Sequence, residues 1–111
     1  MNIGIMMGTS GSSTIDDLVG MAKSAEEVGL HHVWLANIFS FDAISTLAII
    51  GREVPRIKLG TAVTPTYPRH PTAIAQQAIT TAAATSNGFT LGIGLSHTLV
   101  IEDLLGLSYD K

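Results

Sequence analysis

The sequence has no cysteine, one tryptophan, and only 14% charged residues in a chain of 111. Without cysteine there is no disulfide, no thiolate nucleophile and no cysteine-based metal site. Lys and Arg total six against nine Asp and Glu, a formal net charge of −3, and the basic residues form no cluster. Nucleic acid and anionic membrane surfaces are therefore not expected as partners. No stretch reaches the roughly 18 apolar residues of a membrane span. The start, MNIGIMMGTSGSS, lacks the basic head and long apolar core of a signal peptide, so a soluble, cytoplasmic protein is expected. Neither a repeat of fixed period nor a low-complexity linker appears. Hydrophobic residues make up 46%, while charge lies well below the roughly one quarter ordinary for soluble domains. Either much of this surface is buried in something larger, or the chain associates with itself as a homo-oligomer.

What is present alternates between two periods. The short apolar run 2–7 is broken by GTSGSS, and Ile15, Leu18, Val19, Ala22 and Ala25 then recur at helical spacing. Ser13 or Thr14 can cap that helix, Asp16 and Asp17 suit its positive end, and Gly29 suits a left-handed C-terminal position. Residues 31–36, HHVWLA, predict a second strand. Asp42 can cap a helix through AISTLAIIGREV, and IKLGTAV, 57–63, predicts a third strand. A joint rich in proline follows, with Pro71 fitting the first turn of a helix that Asn87-Gly88 stops. FTLGIGL, 89–95, predicts a fourth strand, and a short helix is expected around Val100–Leu105.

This β-α-β-α-β-α-β order, at roughly 25 to 30 residues per unit, is what parallel βαβ units require. An open doubly wound sheet and the N-terminal half of a TIM (β/α)8 barrel both fit. GTSGSS is not the GxGxxG dinucleotide fingerprint, and no acidic residue ends the second strand, which favours the barrel. A full barrel needs about 250 residues. Four strands leave two open edges. Residues 1–111 are thus expected to form part of a barrel domain, truncated at its C-terminus, or a half that must pair.

In such folds chemistry gathers at the carboxyl ends of the strands. Those ends carry Thr9, Ser10, Ser12 and Ser13; Asn37, Phe39, Ser40 and Asp42; Thr64, Thr66, Tyr67, Arg69 and His70; and Ser96 and His97. The Gly/Ser loop also reads as a tight turn, and Asp42 as a helix cap. His31 and His32 open the second strand at the face away from catalysis. Only His70 and His97 could serve as metal ligands and no carboxylate clearly accompanies them, so no metal is expected. GIGLSH lacks the GxSxG order of a serine hydrolase. Gly92 and Gly94 alternate within the fourth strand, as Gly60 and Ala62 do in the third. Small residues there let either a flat ligand or a packed neighbour approach the backbone.

GTAVTPTYPRHPTAIAQQA at 60–78, followed by NGFTLGIGLSH, resembles the luciferase-like monooxygenase superfamily, nearest its branch using the deazaflavin coenzyme F420. IGIMMGTS, WLANIFSFDAISTLAIIGREVP and GLSYDK fit the same branch, so the resemblance spans essentially the whole chain. It implies a (β/α)8 barrel of which this chain holds strands one to four, and hydride transfer between coenzyme F420 and a small organic substrate. FMN is the alternative cofactor, and a non-catalytic fragment or pairing half-barrel the alternative to an enzyme. The resemblance places a non-proline cis peptide at Ala62-Val63 behind the ring, with Ala62 making room and Thr64 following toward the pocket. Gly60, Ala62, Val63, Thr64, Gly92 and Gly94 are accordingly the expected cofactor contacts. Many relatives carry a His after the second strand; here Asn37 stands near that place. Asn37 and His97 are the candidate catalytic residues, as hydrogen-bonding partner and proton donor. Arg69 and His70 are candidates for anchoring the joint as much as for catalysis.

Overall fold

The computed structural model describes residues 1–110 and realises the alternating pattern. In chain order it contains β1 (Gly4–Met7), α1 (Ile15–Glu27), β2 (His32–Leu35), α2 (Ala43–Glu53), β3 (Lys58–Thr61), β4 (Thr64–Pro65), α3 (Pro71–Ala84), β5 (Phe89–Thr90), β6 (Ile93–Gly94) and a π-helical turn at Leu99–Leu104. β1, β2, β3 and β5 form one parallel sheet in that order, and β4 and β6 form a parallel two-stranded extension. This is the half-barrel arrangement, with all of the main core on one side of the sheet.

The strand period decides which side is which. Met7, Val33, Leu35 and Leu59 join Leu18, Val19, Ala22, Ala25, Leu47, Ile50 and Val54 in one buried cluster. Residues of opposite parity lie in register across the other face: Met6 beside Trp34, Trp34 beside Gly60, and Gly60 beside Thr90. Each fully buried Leu or Ile of the helix-side core contributes about 1.5–3 kcal/mol relative to exposure. Ile5 has helix-side parity yet is 41% exposed, on a strand at the sheet edge with a neighbour on one side only.

Local signals set the helix ends. Thr14 and Asp17 form a reciprocal capping box: Asp17 N–H donates to Thr14 Oγ1 at 3.1 Å, and Thr14 N–H donates to Asp17 Oδ2 at 2.8 Å. Gly29, φ +85°, follows α1 in the left-handed region. Asp42 caps α2 by accepting from Ser45 N–H at 2.8 Å. Pro71 opens α3, and His70 Nδ1 accepts from Thr72 N–H at 3.2 Å. α2 and α3 pack through a buried bond in which the Thr81 hydroxyl donates to Ile44 O at 3.1 Å.

The strands depart from expectation in one instructive way. The runs expected as single strands at 57–63 and 89–95 are each interrupted, the first at a cis Ala62-Val63 peptide and the second at Leu91-Gly92. The ladder is carried across the gap by side chain as well as backbone. Thr61 Oγ1 donates to Gly92 O at 2.8 Å and accepts from Gly92 N–H at 2.9 Å, while Thr64 N–H donates to Gly92 O at 2.8 Å. Ala62 N–H still reaches Leu35 O at 3.0 Å, and Val63 O accepts from Asn37 N–H at 3.2 Å. The bulge is thereby tied to the strands on both sides.

Glycine at 92 is a steric requirement of that tie. A Cβ there would stand 2.1 Å from Thr61 O, a backbone atom that cannot yield. Gly92→Ala is expected to destabilise the fold by about 1–3 kcal/mol through overpacking, measured by denaturant unfolding. Gly11→Ala, with nothing within 4 Å of the added carbon, should change stability by less than about 0.5 kcal/mol. Removing the α1 cap with Thr14→Ala should cost about 1 kcal/mol. The Thr14 backbone N–H, then its hydroxyl, hold the Asp17 carboxyl below its ordinary 3.8. A lowered acid stabilises the fold above its ordinary value and loses that contribution as pH falls through the lowered one. The penalty of Asp17→Asn should therefore be full above pH 3.8 and shrink progressively as pH falls below it, read from unfolding midpoints across pH.

Candidate active site

At the carboxyl ends of the strands lies a half-open cleft of about 620 Å³, walled by Ala36, Asn37, Ile38 and Phe39 after β2, Val63, Pro65, Pro68 and Arg69 around β4, and Ser96, His97, Val100, Ile101 and Leu105 after β6. Three βα units contribute, so residues more than twenty apart in sequence meet at one place. The wall is mainly apolar. Val63 is 43% exposed and Phe39 69% exposed, which leaves hydrophobic surface facing the opening. Ile101 of the π-helical turn is fully buried beneath it.

Of the sequence-predicted residues, Asn37, Val63 and His97 are brought together on this wall. Gly60, Ala62, Thr64, Gly92 and Gly94 are not wall residues. Gly60 lies under the indole of Trp34, where a Cβ would come 2.3 Å from Cζ3. A Cβ on Gly94 would meet Val63 Cγ2 at 2.6 Å. At these glycines an added Cβ would meet a packed neighbour: Trp34 at 60, Thr61 at 92 and Val63 at 94. Thr64 is fully buried, and its hydroxyl finds no protein partner among the described residues. Its backbone joins β4 to β6 and holds Val63 at the cleft.

A polar network braces the rim. Asn37 Oδ1 accepts from Ala43 N–H at 2.9 Å and from Arg69 Nη2 at 3.3 Å. Arg69 also pairs with Asp42, the cap of α2, through Asp42 Oδ1. Both side chains are largely shielded, 19% and 30% exposed, so this pair is less screened than a surface bridge. It joins the loop before α3 to the start of α2. His97 is exposed, and its carbonyl accepts from Val100 and Ile101 N–H, both at 3.0 Å, opening the π-helical turn. Ser96 just before it takes φ 64°, the left-handed region. Among the described residues no three His, Cys, Asp or Glu side chains gather as a metal site would need. No helix among them is long and apolar enough to cross a membrane.

Sequence spacing alone missed Thr61, the residue that ties the bulge, and Ile38, Val100, Ile101 and Leu105 of the cleft wall. Thr61 carries a signal in retrospect: a hydroxyl at a core-facing strand position must find a buried partner.

The model of the family described as luciferase-like monooxygenase matches residues 1–111, the whole chain. This chain belongs to the luciferase-like monooxygenase family. A Mycobacterium tuberculosis protein provisionally named a coenzyme F420-dependent oxidoreductase is 31% identical over 111 residues, covering 100% of this chain and 32% of its own. Two solved structures superpose closely. The coenzyme F420-dependent tetrahydromethanopterin reductase of Methanopyrus kandleri has a TM-score of 0.83 at 22% identity, covering 96% of this chain and 30% of that one. The oxygenating constituent of 3,6-diketocamphane monooxygenase from Pseudomonas putida, solved with FMN, has a TM-score of 0.81 at 19% identity, covering 96% and 33%. At these identities the likeness to the two structures is one of fold. The chain spans about a third of the length of the curated relative it matches throughout.

A second cavity, also of about 620 Å³, is lined by Tyr67, Arg69, Pro71, Ile93 and Tyr109, and there Tyr67 and Tyr109 stack with centroids 4.8 Å apart and planes 17° apart. The Tyr67 hydroxyl donates to Asp110 O at 2.7 Å. Desolvation first, then the neighbouring Tyr109, Asp110 and Glu102, push the Tyr67 phenol above its ordinary 10.0. A raised acid binds its proton more tightly in the folded state, so its contribution is full below the ordinary value and is lost as pH rises through the raised one. A near-ultraviolet titration should show one phenol ionising above pH 10.0, and Tyr67→Phe should remove that late step. Stability should fall with alkaline pH more steeply in the parent protein than in Tyr67→Phe.

Proposed function

We propose that this chain supplies the cofactor-facing part of a luciferase-like oxidoreductase that transfers hydride between coenzyme F420 and a small organic substrate, with residues 1–111 as the N-terminal portion of the barrel domain. The observation that carries the proposal is the convergence of Asn37, Val63 and His97 on one apolar cleft at the carboxyl ends of parallel strands. A flat ring suits walls that are mostly hydrocarbon with a few polar groups at the rim. Val63, exposed beside Pro65, offers the ring a face. Gly60, Ala62, Thr64, Gly92 and Gly94 act behind it by allowing the bulge that pushes Val63 forward. The name of the 31% identical relative favours the deazaflavin.

When bound, the cofactor would supply the hydride-carrying ring carbon. The chain's own residues would hold the ring edge, orient the substrate and exclude water. Asn37 would hydrogen-bond cofactor or substrate. His97, exposed at the end of β6, would donate a proton to the substrate atom that gains negative charge. FMN is the second candidate for the same cleft, favoured by the FMN complex of the diketocamphane monooxygenase constituent whose fold this chain shares.

Titration with oxidised coenzyme F420 and, separately, with FMN checks the cofactor, following the quenching of Trp34 and the ring's own fluorescence. Saturable binding of coenzyme F420 with at least tenfold preference over FMN is the expected result. The reverse preference would install FMN in its place. Binding of neither ring, with the fold intact by circular dichroism, would overturn the proposal and favour a non-catalytic fragment.

A further inference from the structure

Asn37 is held in one orientation by groups that can only donate. The Ala43 backbone N–H and the Arg69 guanidinium both reach the same side-chain atom, at 2.9 and 3.3 Å. Neither has a lone pair to offer, so the atom facing them is the amide oxygen. Arg69 is itself fixed by its ion pair with Asp42. Asp42 is fixed by Ser45 N–H at its other oxygen, and its carbonyl accepts from Thr46 Oγ1 at 2.7 Å. Ala43 is the first residue of α2, and Asn37 Oδ1 is the partner its N–H has. The Asn37 oxygen is thus committed to the protein. Its amide nitrogen has no protein acceptor among the described residues, and the residue lines the cleft.

We propose that Arg69, with Asp42, is a positioning residue that fixes Asn37 as a hydrogen-bond donor into the cleft, so that the ligand seated there presents an accepting atom: a carbonyl oxygen or an unprotonated ring nitrogen. Asn37 cannot then accept a hydrogen bond from an alcohol O–H, because its only accepting atom already serves two donors. A hydroxyl-bearing ligand can meet this amide only through its oxygen as acceptor, and finds no acceptor on Asn37 for its own O–H. The ligand class rests on the function proposed above; the orientation of the amide does not. Both a deazaflavin or flavin ring and a carbonyl substrate carry such acceptors.

Two measurements on the whole chain test this. In the free protein, hydrogen exchange at the Ala43 N–H should be slow, and fast in Asn37→Ala and Arg69→Ala, with protection largely regained in Arg69→Lys. Exchange at Leu47, inside α2, should be retained in all, which separates loss of the lock from loss of the helix. Unchanged protection at Ala43 in Asn37→Ala would overturn the lock. In the second measurement, oxidised coenzyme F420 and FMN are each titrated while the Asn37 side-chain amide is followed by NMR, its signal identified by its loss in Asn37→Asp. A downfield shift of that amide on adding either ring places the acceptor on the ring. A shift only on further addition of 2-cyclohexenone places it on the substrate. Asn37→Asp should weaken binding of the shifting ligand by roughly tenfold, the scale of one good hydrogen bond, and Arg69→Ala by about threefold or more. Binding with no shift and no loss in Asn37→Asp would overturn the donor role. If neither ring binds, the proposed cofactor fails, and the lock stands or falls on the Ala43 exchange alone.

Discussion

The Thr61 hydroxyl bonds to both backbone groups of Gly92, and the functional end of the molecule depends on that pair of contacts. Strands three and four would otherwise part company where the third bulges at Ala62-Val63. With the hydroxyl bridging the gap, β4 and β6 resume pairing beyond it, and Val63 is presented to the cleft with Pro65 beside it. The tie tolerates no Cβ at Gly92. The bonds are buried or half-buried, where leaving a partner unpaired costs about 1–3 kcal/mol. Backbone irregularity at the mouth of the sheet is therefore supported from beneath.

Above that support, the few charges in the chain are placed rather than scattered. Arg56 and Glu26 make a bond of 2.7 Å, but Arg56 is 83% exposed, so the pair contributes about 0–1 kcal/mol. The Arg69–Asp42 pair is shielded and joined to Asn37, and it connects two consecutive βα loops at the cleft rim. In a chain with 14% charged residues, one of its six basic groups is thus committed to the geometry of a single amide.

Much of this was legible in the residues. The helices followed from period and caps: Thr14, Asp42 and Pro71 stand where the pattern puts them, because caps and proline act over one turn. The parallel order followed from spacing. The interruptions of strands three and four were not legible as strand ends, since IKLGTAV and FTLGIGL are predominantly apolar and the hydroxyl of Thr61 does not name its partner across the sheet. The family resemblance located the cis peptide, which propensity could not. Gly60, Gly92 and Gly94 signalled close approach correctly, but a glycine does not say what approaches. Here it is Trp34, the Thr61 backbone and Val63. The wall residues Val100, Ile101 and Leu105 were hidden because their place depends on the π-helical turn folding back over strands read far earlier.

The two faces of the sheet also govern where the chain can change length. Val33 and Leu35 point to the helices while Trp34, between them, lies over Gly60 on the other side. Losing or gaining one residue within β2 would exchange these roles, driving an indole into the helix-side core and leaving leucine on the open face. The loop at 8–13 has no such parity: a Cβ at Gly8 or Gly11 meets nothing within 4 Å. Insertions can accumulate there beside the carboxyl end of β1 without disturbing register, whereas the segment from Thr61 to Thr66, bonded to both neighbouring strands, admits none. Divergence by loop growth is thereby directed to one side of the cleft mouth.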